Sequence, residues 1–215
     1  MENMEKSLNK FTNFISMETG KDQEVLLFGL RLLLSYIIGF FLIIIISYLL
    51  GIHYYTLTAA ITASILRVFS GGTHASSQSR CCLLGILIFI PMGFIAKIFS
   101  PRESLLVLLI LGILIYGLFA INKYAPAATP GKPISSQIQR NILRKYSFVV
   151  LILWGILCLS CLAFSKNLLL KTLIFSTALG MFWQLTSLTP FGYTMIKIID
   201  SCLNLILHKK EVNVD

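Results

Sequence analysis

Acidic side chains are nearly absent from the body of this chain. Of its nine aspartates and glutamates, only Glu103 lies between residues 25 and 199, and the others lie near the two ends. Carboxylate-bound metal sites, aspartyl-type membrane proteases and acidic proton relays all require Asp or Glu. The sequence therefore argues against these three classes, predicts neither a metal nor a cofactor, and leaves His and Cys as the candidates for chemistry.

Charge of either sign is scarce, whereas long apolar runs are frequent. Charged residues make up 13% of the 215 residues and the mean hydropathy is +0.83, whereas soluble domains carry about 25% charged residues. We therefore predict one all-α domain over residues 1–215, a polytopic membrane bundle. Amphipathic helices are expected over residues 1–25 and in the tail, 191–215. About six hydrophobic helices are expected between them, near 25–50, 54–69, 82–99, 104–122, 147–165 and 168–189.

The basic residues indicate how this bundle is oriented. If the N-terminus is cytoplasmic and all six segments cross, thirteen of the eighteen basic residues lie on the cytoplasmic side and four on the other. Cytoplasmic loops of membrane proteins carry an excess of Lys and Arg. We expect a multi-pass protein of the cell membrane with both termini cytoplasmic. The net charge of +9 then reports topology and attraction to anionic lipid, and no basic motif with interleaved aromatics indicates a nucleic-acid partner.

One polar segment, residues 67–81, interrupts the apolar first half of the chain. It reads RVFSGGTHASSQSRC and contains Gly71-Gly72, His74 and Cys81. A cysteine attacks as the thiolate, and an imidazole can serve as its base. On one continuous helix, residues seven apart are separated by about 10.5 Å along the axis, so a His74–Cys81 pair requires a break that the two glycines permit. Residue types alone also allow an incidental His and Cys in a polar loop.

A second cysteine pair, Cys158 and Cys161, has the spacing of a redox or zinc site. It lies in an apolar run and no second pair of ligands accompanies it. Because free cysteine behaves as a small hydrophobic residue, we expect these two side chains to pack within a helix bundle.

Two motifs resemble one known family. The pattern R…GGxH…C over residues 67–81 resembles that of AgrB, the accessory gene regulator membrane endopeptidase of Gram-positive quorum sensing. The loop over residues 123–146, which contains YAPAATPGKPI, is similar to the loop after the fourth span of that family. One difference is Ala128, where many members have an acidic residue.

The resemblance implies an activity, a partner and two site residues. AgrB proteins cleave the C-terminal part from a short precursor peptide, AgrD, through a thioester on a catalytic cysteine, and ring closure then gives a thiolactone or lactone. The family's cysteine matches Cys81 and its histidine matches His74. The expected partners are therefore an AgrD-like precursor and membrane lipid. A homodimer is expected from the resemblance and from the small residues of the second span.

Six further residues are candidates for substrate-binding or supporting roles. Two of them are Gly71 and Gly72, which permit the break, and the other four are Arg67, Arg80, Gln78 and Lys132. Arg67 and Arg80 either bind an acidic region of the precursor or anchor helix ends. Gln78 or a neighbouring serine either orients His74 or donates to an oxyanion, with ordinary loop solvation as the alternative. Lys132 either faces the substrate or belongs to a rigid connection.

Two other classes of protein stay open on the sequence. The first is a small helical transporter or export channel whose polar segment lines a pore. Such a protein should show internal repeats or paired broken helices, whereas this chain shows no convincing repeat and one polar break. The second is a structural or regulatory membrane protein without chemistry, in which His74 and Cys81 would be freely replaceable.

Overall fold

The computed structural model describes residues 2–20, 22–73, 75–99, 101–127, 136–165 and 167–211. Within these residues the chain forms eight α-helices and no β-strand. In chain order the helices are α1 (Glu2–Thr19), α2 (Gln23–Leu49), α3 (His53–Ser70), α4 (Gln78–Ile98), α5 (Glu103–Tyr124), α6 (Gln137–Phe164), α7 (Leu168–Ser187) and α8 (Pro190–Glu211). The predicted all-α bundle of six hydrophobic helices between two amphipathic ones is confirmed.

Five of these helices are long and apolar enough to cross a membrane, namely α2, α4, α5, α6 and α7. The sequence predicted six spans, and the second of them, α3, lies outside this set of five. Helix α3 is rich in threonine and alanine, and its face formed by Thr56, Ala59, Ala60 and Ala63 is buried. This small and polar face therefore packs against neighbouring helices and does not face lipid, in agreement with the predicted packing of the second span inside the bundle.

Small residues bring the backbone of α3 close to its neighbours. A Cβ atom at Gly180 of α7 would overlap the carbonyl oxygen of Ala59, and one at Gly93 of α4 would overlap the hydroxyl of Thr56. Glycine at such crossings lets helix backbones approach closely. The hydroxyl of Ser176 on α7 also donates to the carbonyl of Tyr55. Helix α3 also contacts α2 and α6, so it lies at the centre of the bundle.

Helices α2 and α4 run side by side in the same direction. Gly39 lies against Cys82 and Gly85 lies against Ile43. At the far end, the Lys97 ammonium donates to the carbonyl of Gly51 over 3.2 Å. Because Gly39 is level with Cys82, residues 23–38 extend about 24 Å beyond the level of Cys82. Helix α1 packs against α2.

The break between α3 and α4 is shorter than the predicted loop of residues 67–81. Helix α3 continues to Ser70 and α4 begins at Gln78, so residues 71–77 connect them, with residue 74 outside the described set. The hydroxyl of Ser77 accepts from the backbone N–H of Arg80 and caps α4. A serine at the N-cap satisfies an otherwise unpaired N–H, and this explains the earlier start of the helix.

The predicted loop of residues 123–146 is shortened in the same way. Helix α5 ends at Tyr124, and α6 begins at Gln137 behind Ser136, whose hydroxyl accepts from the N–H of Gln139 over 3.1 Å. The polar sequence QIQRNILRKY therefore forms the first turns of α6. Its polar composition predicts a loop, whereas in the structure it continues the apolar part of α6 as a helix.

Candidate active site

A cavity of about 120 Å³ lies between α2, α3, α4, α7 and α8, at the end of the bundle where α4 begins. Aliphatic and aromatic side chains form most of its wall. The polar and thiol side chains of the lining include those of Tyr36, Ser64, Arg67, Thr73, Cys81, Cys82 and Gln184. The cavity is thus a mainly apolar space with two thiols and one guanidinium in its wall.

Cys81 lies at the start of the second turn of α4. Its backbone N–H donates to the carbonyl of Ser77 over 3.0 Å. Its thiol is half-buried and lines the cavity together with Ala75 and the Arg67 guanidinium. The thiol therefore faces both the loop before α4 and the charged end of the cavity.

Cys82, the adjacent residue, has a different environment. Its side chain is 9% exposed and its sulfur lies against Gly39 of α2. Successive side chains on a helix point about 100° apart. Cys81 therefore faces the loop before α4, whereas Cys82 faces helix α2. Both thiols border the cavity, but Cys81 is the more accessible of the two.

Some of the predicted site residues lie outside the described residues. These are His74 and Lys132. Thr73 and Ala75, which flank His74 in the sequence, both line the cavity together with Cys81. Gln78 is the first residue of α4, and only its backbone is described.

Arg67 connects two helices and the loop. Its Nε donates to the hydroxyl of Tyr36 over 3.2 Å and its Nη1 to the side-chain oxygen of Gln184 over 3.3 Å. Its Nη2 donates to the carbonyl of Thr73. The guanidinium thus holds the backbone of Thr73 in place. These three acceptors are neutral, so among the described residues its charge is not neutralised by a hydrogen-bonded carboxylate.

Gln184 of α7 is the buried centre of this network, and sequence reasoning did not identify it. Its side chain is 1% exposed. The Nε2 atom donates to the carbonyl of Gly71 over 2.8 Å and to the hydroxyl of Ser70 over 3.1 Å, while Oε1 accepts from Ser187 over 3.3 Å as well as from Arg67. The only signal in the sequence was a glutamine within an apolar run.

Gly71 and Gly72 join the two loops that carry the family resemblance. Their φ angles are +70° and +142°, a region that favours glycine. The N–H of Ala127 donates to the carbonyl of Ser70 over 2.9 Å, and a Cβ at Gly71 would overlap the carbonyl oxygen of Ala127. The loop after α5 is therefore held against the loop after α3.

Asp200 of α8 supplies a carboxylate to a site for which the sequence indicated none. The hydroxyl of Ser76 donates to its Oδ2, and the Nε of Arg80 lies 3.4 Å from its Oδ1. The side chains of Arg80 and Asp200 are 16% and 15% exposed. Acidic residues are scarce between residues 25 and 199 of the sequence, but the fold brings the carboxylate of Asp200 to the polar segment.

The second cysteine pair is separate from this cavity. Cys158 is 4% exposed, and its sulfur lies 3.7 Å from the hydroxyl of Thr177, to which the indole of Trp154 also donates. Cys158 and Cys161 border an apolar groove between α3, α6 and α7. Among the residues that the structure describes, no group of three or more His, Cys, Asp or Glu side chains could hold a metal ion.

Comparison with known proteins gives one consistent family. The model of accessory gene regulator B (AgrB) matches residues 4–188. A protein of Clostridium perfringens strain SM101 with an AgrB-like name is 32% identical over 213 residues, 96% of this chain and 100% of that protein. A second such protein, from C. perfringens strain 13, is 32% identical over 191 residues, 86% of this chain and 89% of that protein.

A protein of Listeria monocytogenes strain EGD-e, also with an AgrB-like name, is 28% identical over 188 residues, covering 85% of this chain and 86% of that protein. No solved structure matches the chain. The matched region of the family model ends before α8 begins. The family match and the full-length relatives agree with the motifs brought together at the cavity, and the chain belongs to the AgrB family.

Proposed function

We propose that the protein is a membrane-embedded cysteine endopeptidase that cleaves an AgrD-like precursor peptide and promotes its cyclisation. Membership of the AgrB family assigns the protein to accessory gene regulator peptide processing in quorum sensing. The observation that carries the finer proposal is the half-buried Cys81 thiol at an apolar cavity that Thr73 and Ala75, the sequence neighbours of His74, also line.

The proposed first step uses Cys81 as nucleophile and His74 as base. His74 takes the thiol proton, and the sulfur attacks the scissile carbonyl carbon of the precursor. The C–N bond then breaks, and the C-terminal fragment leaves as an amine that takes the proton back from the imidazolium. The N-terminal fragment stays on the sulfur of Cys81 as a thioester.

The proposed second step releases the enzyme and closes the ring. A thiol of the peptide, or a hydroxyl in the case of serine, attacks the thioester carbonyl. The Cys81 thiol is displaced, and the peptide becomes a thiolactone or lactone without consuming water. Exclusion of water protects a reactive intermediate from hydrolysis, and the mostly apolar wall of the cavity supports such a role.

The two arginines are proposed to have different roles. Arg67 borders the cavity and all of its described acceptors are neutral, so its charge can bind an acidic group of the precursor. Arg80 forms an ion pair with Asp200, which supports the anchoring role. Gln78 is proposed to donate to the oxyanion or orient His74, and Lys132 to contact the substrate from the loop that Ala127 holds near Gly71.

We also propose that the cavity end of the bundle and both termini are cytoplasmic, and that lipid and a second copy of the chain are partners. The contact of α8 with the start of α4 puts the C-terminal helix at the cavity end, and the bias of basic residues supports a cytoplasmic location for it.

The test is co-expression with a tagged precursor. The precursor to be used is sought as a short Cys-containing or Ser-containing reading frame next to the gene. Cleavage is followed by gel and mass spectrometry for the parent chain and for Cys81→Ala, Cys82→Ala and His74→Ala, each with its amount in the membrane measured. We expect no cleavage by Cys81→Ala and His74→Ala and near-parent cleavage by Cys82→Ala.

Undiminished cleavage by Cys81→Ala would refute the assignment of the nucleophile. Movement of intact precursor across the membrane, without cleavage by the parent chain, would instead favour the transporter. The matched control is Cys82→Ala, which removes a thiol from the same helix turn.

A further inference from the structure

Helix α8 lies beyond the region matched by the family model, yet it reaches the polar segment. The AgrB family model matches residues 4–188, whereas α8 comprises residues 190–211. Two of its side chains, Ile196 and Asp200, are one turn apart and therefore on one face. Ile196 is 5% exposed and lines the cavity, while Asp200 contacts Ser76 and Arg80.

The direction of α8 is fixed at its junction with α7. The hydroxyl of Thr189 donates to the carbonyl of Thr186 over 2.8 Å and accepts from the N–H of Gly192 over 3.3 Å. A Cβ at Gly192 would overlap the carbonyl oxygen of Thr186. This close corner turns α8 back towards α4, so Asp200 is held near the loop without a long connection.

Asp200 contacts the polar segment on both sides of the Ser77 cap. Its Oδ2 accepts from the hydroxyl of Ser76 and, over 3.4 Å, from its backbone N–H. Its Oδ1 lies 3.4 Å from Arg80 Nε, and its backbone carbonyl accepts from Arg80 Nη1 over 3.4 Å. The carboxylate therefore joins the loop before α4 to the first turn of α4, directly before Cys81.

We propose that Asp200 is a positioning residue for Cys81, through which the C-terminal helix of this chain sets the geometry of the thiol. The proposal rests on the proposed function. Outside a helix, residues 71–73 and 75–77 depend on side-chain contacts for their conformation, and hydrogen bonds to a charged group are the stronger ones. A displacement of about 1 Å at a reacting atom can cost about 100-fold in rate.

The experiment compares Asp200→Asn, Asp200→Ala and Asp200→Glu in the full chain, in membranes, with Glu103→Gln as matched control. Glu103 forms the ion pair with Lys171 over 2.8 Å at the other end of the bundle. The first readout is the kcat and KM of precursor cleavage. The second, in the absence of precursor, is the rate of alkylation of Cys81 by iodoacetamide, with the labelled cysteine located by mass spectrometry.

We expect Asp200→Asn and Asp200→Ala to lower kcat by about 10- to 100-fold with little change in KM. The same variants should alkylate Cys81 faster, by a factor on the order of 3 or more, because the loop against the thiol is released and a negative charge near it is lost. Asp200→Glu should recover part of the kcat, and Glu103→Gln should match the parent in both readouts. Alkylation of the buried Cys158 should be unchanged in all four.

Three results would overturn the proposal. The first is a kcat within about 2-fold of the parent in both Asp200→Asn and Asp200→Ala. The second is unchanged alkylation of Cys81, which applies even if the chain cleaves no precursor and so separates this proposal from the proposed function. The third is equal acceleration at Cys158, because it would report general unfolding and not displacement of the loop.

Discussion

The two ends of the bundle use polar side chains in different ways. At the cavity end, Arg67 and Gln184 connect α2, α3, α7 and the loop after α3 through a network centred on the buried Gln184 side chain. At the other end, Lys171 pairs with a Glu103 side chain that is 48% exposed, and Lys97 donates to the carbonyl of Gly51. The first arrangement holds an irregular backbone inside the protein, whereas the second joins helix ends at the surface.

This difference follows from where the backbone leaves the helix. Non-helical backbone at membrane depth must have its polar groups satisfied by protein or by a wet cavity. At the cavity end, Gln184 donates to the carbonyl of Gly71 and the hydroxyl of Ser70, and the N–H of Ala127 donates to the carbonyl of Ser70. These two carbonyls lie at the end of α3 and have no partner within that helix. Loss of a buried partner leaves a costly unpaired group, while exposed ion pairs contribute little. Substitutions at the two ends should therefore differ in size.

Gln184→Leu should have the largest effect. It removes the partners of Gly71, Ser70 and Arg67 from a buried position, so we expect the free energy of unfolding to fall by about 3 kcal/mol. Because the loop before α4 loses its anchor, cleavage should fall by about 100-fold or more. Thermal unfolding in detergent and the precursor cleavage assay measure the two effects.

The matched control for Gln184→Leu is Thr177→Val on the same helix. Thr177 accepts from Trp154 within the regular helical core, so its loss should cost about 1 kcal/mol with cleavage preserved. Equal losses of cleavage in the two variants would contradict a special role for Gln184.

Gly71→Ala should have the next largest effect, and two other glycines separate its causes. Gly71 has both a positive φ and the carbonyl oxygen of Ala127 in the way of a Cβ, Gly20 has a φ of +65° and open space, and Gly112 is helical with open space. We expect Gly71→Ala to cost about 3 kcal/mol and Gly20→Ala about 1 kcal/mol. Gly112→Ala should be neutral or stabilising by about 0.5 kcal/mol.

Thermal unfolding of the three glycine variants tests this order, and only Gly71→Ala should reduce cleavage. If Gly20→Ala were as damaging as Gly71→Ala, the contact between the two loops would not explain the effect.

Glu103→Gln should have the smallest effect. The exposed ion pair with Lys171 lies far from the cavity, so its loss should change the free energy of unfolding by less than about 1 kcal/mol and leave cleavage unchanged. A loss of cleavage in this variant would mean that the two ends are coupled more strongly than their contacts indicate.

The sequence predicted the helices well because each apolar run is long and their order is simple. It also predicted, from the spacing of His74 and Cys81, that the chain between α3 and α4 leaves the helix, and the described residues 71–73 and 75–77 do so. The limits of that break differ from the predicted ones because each depends on a single residue, Gly71 after α3 and the Ser77 cap before α4.

The contacts of Gln184 and Asp200 could not be read from the sequence. Asp200 is 124 residues from Ser76 along the chain, and its approach depends on the corner at Gly192 and on the packing of α7 against α3. Such pairs are products of tertiary packing. The sequence shows where the carboxylates lie along the chain, but it does not show which of them the fold places at the site.

The most direct test of the central claim is the mass of the enzyme during turnover. Purified chain is mixed with the precursor, quenched in acid, and analysed intact and after digestion. We predict an adduct on Cys81 equal in mass to the N-terminal fragment less one water, present in Cys82→Ala and removed by hydroxylamine as a thioester. Cleavage without an adduct in Cys81→Ala, or an adduct on Cys82 in the parent chain, would contradict the account.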